Sequence, residues 1–276
     1  MSDIKTILVH LADDDAHTAR LDVAFDLATR FDAHITALYV TTPVTMPAAI
    51  SGRGASYAYI AAATEIAKEK ATAIEAEFRA RSEKEGRSWE WLCEEGDHID
   101  LLDFHTRYAD LAIVSPSKHH SAEEEVALHL PEQLPLVASC PVLIVPRGWT
   151  PTPIGKTVLI GWKARREAAR TVHNAVNLLR QAEQVTVVTV SKDHEQRLPG
   201  SEIGTFLARH GVEVETRLVP GDDWKADEAI LDTADEIGAD LIVIGAYGHS
   251  RLRELIFGGV TREIVYNTKV PVFTMH

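Results

Sequence analysis

The residues with the clearest chemical promise are glycines near the end of the 276-residue chain. In the stretch Ala239 to Met275, ADLIVIGAYGHSRLRELIFGGVTREIVYNTKVPVFTM, the apolar run Leu241 to Ile244 leads into Gly245 and Gly248, and a second pair, Gly258-Gly259, follows a short amphipathic run. Glycine suits places where the backbone takes a positive φ or must come close to another group without a Cβ in the way. Gly258-Gly259 falls where the next helix begins, and free N–H groups and the helix dipole favour an anion there. Strand, glycine loop and helix start describe a candidate phosphate cradle.

Other groups carry chemistry with less support. Arg251, Arg253 and Arg262 could reach a phosphate, but on exposed helix surface such arginines are more often solvated or paired, as Arg251 and Arg253 are with Glu254 in reach. His249 and His119 fit backbone hydrogen bonding in a loop better than proton chemistry. Lys118-His119-His120 with Glu123, Glu124 and His129 offers zinc-type ligands at loose spacing with no cysteine nearby, so an exposed polar helix explains it more cheaply. Asp13-Asp14-Asp15 could hold a cation, and a helix N-cap with acids near the dipole's positive end accounts for it better. No G-x4-G-K-S/T loop and no Ser-His-Asp spacing stands out, so no residue is assigned a catalytic role, although slow nucleotide hydrolysis stays open.

The elements that must position these residues follow from the pattern. The chain is 45% apolar, enough for one large core or two ordinary domains. It contains no run of about 18 apolar residues, and its first residues, MSDIKTILVHLADDD, lack signal-peptide sections, so no membrane association is expected. Two cysteines, Cys93 and Cys140, suit a reduced, cytoplasmic protein. The net charge of −13 is uneven: residues 1–150 carry 13 basic and 24 acidic side chains, residues 151–276 carry 15 and 17. That acidity argues against nucleic acid as a partner.

Read in order, Thr6 to Val9 is a strand and a helix follows with Leu21, Ala24, Phe25 and Ala28 on one face. Ile35 to Val40 is a second strand, Thr41 to Tyr59 a loop, and residues 60–85 a long helix ended by Gly86. Trp89 to Cys93, a helix near 97–108, Leu111 to Val114, a helix over 121–138 and Pro141 to Val145 complete the first set. The order then restarts. Thr157 to Ile160 repeats Thr6 to Val9, and a helix carries Ala169, Val172, Val176 and Leu179. Val185 to Val190, a helix near 201–210, Val212 to Val219 and a helix near 224–237 lead to the glycine stretch. At an offset of 130, Ala109-Asp110-Leu111 falls on Ala239-Asp240-Leu241, and Pro141-Val142 on Pro271-Val272. Strands alternating with helices argue for a parallel sheet covered on both faces. The expected domains are residues 1–148 and 154–276, joined by the linker Pro146-Arg-Gly-Trp-Thr-Pro-Thr-Pro153.

This layout, with the string GAYGHSRLRELIFGGVTREI, resembles the tandem two-domain form of the universal stress protein family. The resemblance implies an α/β fold of two Rossmann-like (flavodoxin-like) domains, each a five-stranded parallel sheet of order 3-2-1-4-5 flanked by helices. It also implies antiparallel pairing of the two last strands, Pro141 to Val145 with Pro271 to Thr274, as an internal pseudo-dimer, and it leaves a homodimer open. Nucleotide-binding members carry G-x2-G-x9-G-S/T; this chain has Gly245-x2-Gly248-x9-Gly258 followed by Gly259. By resemblance, ATP or a related adenine nucleotide, with magnesium, would set its base near Val190, Gly161 and Ile244. Its ribose and phosphates would run along Gly245, Gly248, Gly258, Gly259 and Val260. Two departures stand out. Lys163 holds a place where the family's binders commonly have an acid, and Gly259 has no hydroxyl, though Thr261 could supply one. The first half has lost the cradle: Ser115, Lys118, Leu128 and His129 stand at the glycine positions and Pro131 at that of Thr261. The implied function is nucleotide-dependent stress response or signalling; the alternative is a scaffold of the same fold without nucleotide.

Overall fold

The computed structural model describes residues 3–41, 53–116, 130–191, 200–222, 225–246 and 259–276. Ten strands form one sheet: β1 (Thr6–Leu11), β2 (His34–Thr41), β3 (Trp89–Glu95), β4 (Leu111–Val114), β5 (Val142–Ile144), β6 (Thr157–Gly161), β7 (Gln184–Ser191), β8 (Glu215–Pro220), β9 (Leu241–Gly245) and β10 (Val272–Met275). Their order is β3-β2-β1-β4-β5-β10-β9-β6-β7-β8, which is 3-2-1-4-5 followed by its reverse. Every pairing is parallel except β5 with β10, which run antiparallel with Val272 opposite Ile144, Phe273 opposite Leu143 and Thr274 opposite Val142. The chain is thus a mostly parallel α/β protein built as two tandem Rossmann-like units.

Parallel strands buried on both faces need apolar residues on both, and Leu111, Ala112, Ile113 and Val114 are all fully buried. The helices divide between the two faces. On one lie α1 (His17–Phe31), α2 (Arg53–Glu85), α5 (Arg166–Leu179) and α6 (Ser201–Arg209), which contribute Leu21, Phe78, Val172 and Leu207 to a core with Ile7, Val9, Ile160 and Val243. On the other lie α3 (His98–Thr106), α4 (Leu130–Val137), α7 (Ala226–Ile237) and α8 (Gly259–Asn267), which contribute Leu102, Leu134, Ile230 and Ile264. Both cores run unbroken from one half into the other.

The repeat extends to single contacts. Asp110 accepts the backbone N–H groups of Lys5 and Thr6 at 2.8 and 2.9 Å, holding the start of β1 to the start of β4. Asp240, its equivalent, accepts those of Gly155, Lys156 and Thr157 at 2.6, 3.0 and 3.1 Å at the start of β6. Burial raises the Asp240 carboxyl's pKa, and the three N–H bonds oppose that rise.

Three local expectations change. Residues 53–59, expected in a loop, are already helical, because α2 begins at Arg53. Strand β8 begins at Glu215 rather than Val212. Gly211 takes φ +76° there, and the Val212 N–H bonds back to the Leu207 carbonyl at 3.0 Å, so Val212 serves the end of α6. On α5, Ala168 is buried where Ala169 was expected, and Ala169 is only half-buried.

Candidate functional site

In open parallel sheets the crevice lies beyond the carboxyl ends of the strands, where the order reverses. In the second half that point lies between β6 and β9, which end in Gly161 and Gly245 with Gly161 paired to Ile244. Each glycine has a packing reason. A Cβ on Gly161 would sit 2.8 Å from both Ile230 Cδ1 and Ile244 Cγ2, so two apolar side chains already fill that space. A Cβ on Gly245 would sit 2.5 Å from the backbone N of Ala168 and 2.8 Å from the carbonyl carbon of Glu167. The first turn of α5 therefore lies directly against the end of β9, and only glycine admits it. Val190, half-buried, packs into the apolar layer near Gly221.

Two helices follow these strands in the chain, α5 after β6 and α8 after β9. Arg165 precedes α5 without a side-chain cap, and the Arg165 N–H bonds the Lys163 carbonyl at 2.6 Å in the tight turn that leaves β6. Lys163 is half-buried in that turn. Within α5's first turn, Glu167 has a side chain 13% exposed whose Oε2 has no hydrogen-bond partner. The other helix, α8, starts at Gly259, which is exposed; a Cβ there would meet nothing within 4 Å among the described residues. Val260 is half-buried and Thr261 is buried at 7% exposure. Unpaired N–H groups at helix starts suit an anion, and the buried Glu167 carboxylate opposes one on the α5 side. Gly248, Gly258, Arg251, Arg253 and His249 lie outside the described residues.

The first half fills the same position differently. His10 stands where the repeat places Gly161, 2% exposed, with its Nε2 3.2 Å from Nδ1 of His98 at the start of α3. Burial lowers the pKa of both rings, and the Arg20 guanidinium lowers His10 further. Ser115 replaces Gly245; it is buried, and its hydroxyl has no hydrogen-bond partner among the described residues. Arg20, 1% exposed, donates through Nη2 to both carboxylate oxygens of Asp14 at 2.9 and 3.1 Å. Tyr39, at the end of β2, is held up to about 12 by burial and then by Asp13. Pro131 is buried in α4, and Lys118, Leu128 and His129 lie outside the described residues.

The remaining expectations resolve by geometry. Asp14 accepts the Ala16 N–H at 2.8 Å beside α1, Asp13 pairs with Lys70 at 3.1 Å, and Asp15 with Arg147 at 3.0 Å. The expected N-cap is not formed, since α1 is capped by Ala16 without a side-chain bond and has no acid in its first turn; each aspartate is paired with a base instead. Among the described residues no group of three or more His, Cys, Asp or Glu could hold a metal; the His119–His129 cluster falls outside them. Cys93 and Cys140 are both free thiols, and burial raises Cys140 to about 12. Sequence reasoning missed two sites. Arg262 lies on Glu132 at 3.2 Å, and His10 meets His98; neither pair has a spacing signature, because 130 and 88 residues separate the partners.

The glycine stretch and the fold both have counterparts in known proteins. Residues 205–276 match the model of the universal stress protein family. A universal stress protein of Synechocystis is 34% identical over 91 residues, which cover 32% of this chain and only 31% of that protein. A universal stress protein from Archaeoglobus fulgidus has a crystal structure that covers 98% of this chain and 95% of its own, with a TM-score of 0.71 at 18% identity. A protein of unknown function from Pseudomonas aeruginosa PAO1 covers 99% and 92%, with a TM-score of 0.62 at 18% identity. At such identity the two structures speak for the fold, and the sequence matches speak for the likeness of the segment they cover. No helix among the described residues is long and apolar enough to cross a membrane. The part of the chain similar to the universal stress protein family is residues 205–276, which hold the glycine stretch that ends the second half.

Proposed function

We propose that this protein binds an adenine nucleotide, ATP or a close relative with magnesium, in the second of two domains (154–276, after a first domain over 1–148), and acts in stress response or signalling. The supporting observation is the pair β6 and β9: two adjacent strands end in glycine at the reversal of strand order, with the first turn of α5 against Gly245 and α8 next in the chain after β9. Ile230 and Ile244 give its floor an apolar surface suited to a base. The open approach to Gly259 leaves the α8 N–H groups room for phosphate oxygens, and Lys163 could neutralise one as a point charge. In this reading Gly161, Val190 and Ile244 lie near the base, and Gly245, Gly248, Gly258, Gly259, Val260 and Thr261 follow the ribose and phosphates. No described residue is placed as a general base, so binding without turnover is the expected behaviour, in the cytoplasm of the cell.

A second reading has an observation of its own. The backbone of α5 alone requires glycine at 245, and the Glu167 carboxylate, whose Oε1 faces Arg166 at 3.9 Å and whose Oε2 has no hydrogen-bond partner among the described residues, disfavours anions on that side. A scaffold of the same fold without nucleotide follows from these two facts. The test uses protein purified without added nucleotide. Mass spectrometry of the denatured sample should identify a released adenine nucleotide, and calorimetric titration of ATP with magnesium should show saturable binding that Gly248→Val weakens at least about tenfold. Absence of both ligand and heat in wild type would establish the scaffold instead.

A further inference from the structure

We infer that Glu132 and Arg262 decide which surface each half accepts as a partner across the β5–β10 seam: they admit the opposite half and reject a like half from a second copy. The antiparallel register carries the argument. At the repeat offset of 130, Val142 is equivalent to Val272, Leu143 to Phe273 and Ile144 to Thr274. The observed pairs are Val272 with Ile144, Phe273 with Leu143 and Thr274 with Val142. The register is therefore symmetric about Leu143–Phe273, and a pseudo-two-fold axis passes through a residue and its own equivalent.

Beside that axis lie α4 and α8, where the same offset equates Glu132 with Arg262 and Leu136 with Tyr266. The axis brings the equivalents face to face. Arg262 Nε donates to Glu132 Oε1 at 3.2 Å, and the Tyr266 hydroxyl also hydrogen-bonds the Glu132 side chain. Glu132 is 3% exposed on its side chain and Arg262 is 51% exposed. A carboxylate this deep needs donors, and both come from the second half.

Like-with-like pairing fails on the same positions. Two first halves would bring Glu132 against Glu132, each deeply buried, with Leu136 where Tyr266 supplies a hydroxyl. Two second halves would bring Arg262 against Arg262 with no carboxylate between them. A surface that is symmetric in backbone is thereby made selective in charge, as opposed charges do at other interfaces.

Charge reversal in the full-length chain recreates each rejected seam. Arg262→Glu imitates the two-acid seam and Glu132→Arg the two-base seam; each should lower the melting temperature by about 5 °C or more. The exchange Glu132→Arg with Arg262→Glu should recover at least half of the combined loss. Where a reversed side chain is too bulky to fold, the neutral cycle of Glu132→Gln, Arg262→Gln and both together reads the same coupling, with a double loss well below the sum. Melting losses that simply add in the cycle that folds would overturn the assignment, as would Arg262→Glu melting within about 1 °C of wild type.

Discussion

The two halves share one chain path and treat the same crevice in opposite ways. Where the second half ends its strands in Gly161 and Gly245, the first has His10, one residue before the end of β1, and Ser115, one residue past β4, at the equivalent positions. In the second half α5 closes onto β9 until only a hydrogen fits at 245. In the first, a side chain stands at the equivalent place and a histidine pair, backed by Arg20 and Asp14, occupies the crevice. A repeat therefore keeps its topology through buried strands and its strand-start clips, while a few residues near the strand ends decide what packs against them. Gly245 also shows that a motif glycine can answer to packing before it answers to a ligand.

Altering that packing should give the largest effect. Gly245→Val would drive side-chain atoms into the backbone of α5 and should cost about 3 kcal/mol or more, read as a lower midpoint in urea unfolding. Ser115→Gly, the corresponding change in the first half, should stay within about 1 kcal/mol; an equal loss at both positions would erase the contrast.

The histidine plug predicts a pH dependence confined to the first half. His10 and His98 have folded pKa values below the unfolded value of about 6.5, chiefly through burial. Above that value both states hold neutral rings and nothing is lost. As pH falls below it, the unfolded chain takes up protons that the folded pair refuses, so stability declines towards the folded pKa values. Charged groups facing the pair are Arg20 from α1 and Asp97 at the head of α3; the first lowers His10 and the second partly opposes the shift of His98. Melting curves between pH 8 and 5 should slope downward in wild type and less steeply in His10→Leu/His98→Leu. Parallel curves would remove the histidines from the account.

Where the halves agree, substitutions should agree. Asp110→Asn and Asp240→Asn each weaken charged acceptors of backbone N–H groups and should each cost about 2 kcal/mol in thermal or urea unfolding. A loss confined to one of them would show that the clips are equivalent in position only. The smallest structural effect belongs to Gly259→Ser. A Cβ there meets nothing within 4 Å among the described residues, so stability should change by less than about 0.5 kcal/mol. The added hydroxyl should tighten ATP binding several-fold in calorimetry if phosphate lies at the start of α8.

Strands and repeat were legible before any coordinates, because buried parallel strands need unbroken apolar runs and Ala-Asp-Leu recurs at 109 and 239. Gly245, first of the spaced glycines, stands at the carboxyl end of β9, where its apolar run was expected to stop. Helix ends and partners were less legible. Val212 has a strand-like side chain, yet Gly211's positive φ assigns it to the end of α6. Arg262 on an exposed helix start suggested solvent or phosphate, and its carboxylate comes from 130 residues away.

Sequence by itself determined the class of fold, the doubling of the unit and the place of the glycines, since these depend on periodicity and local backbone freedom. Tertiary structure alone decided that α5 demands Gly245, that His10 meets His98, and that Glu132 meets Arg262 across the seam. Those outcomes depend on which distant surfaces the folded sheet brings within a few ångströms, and no local pattern encodes that distance.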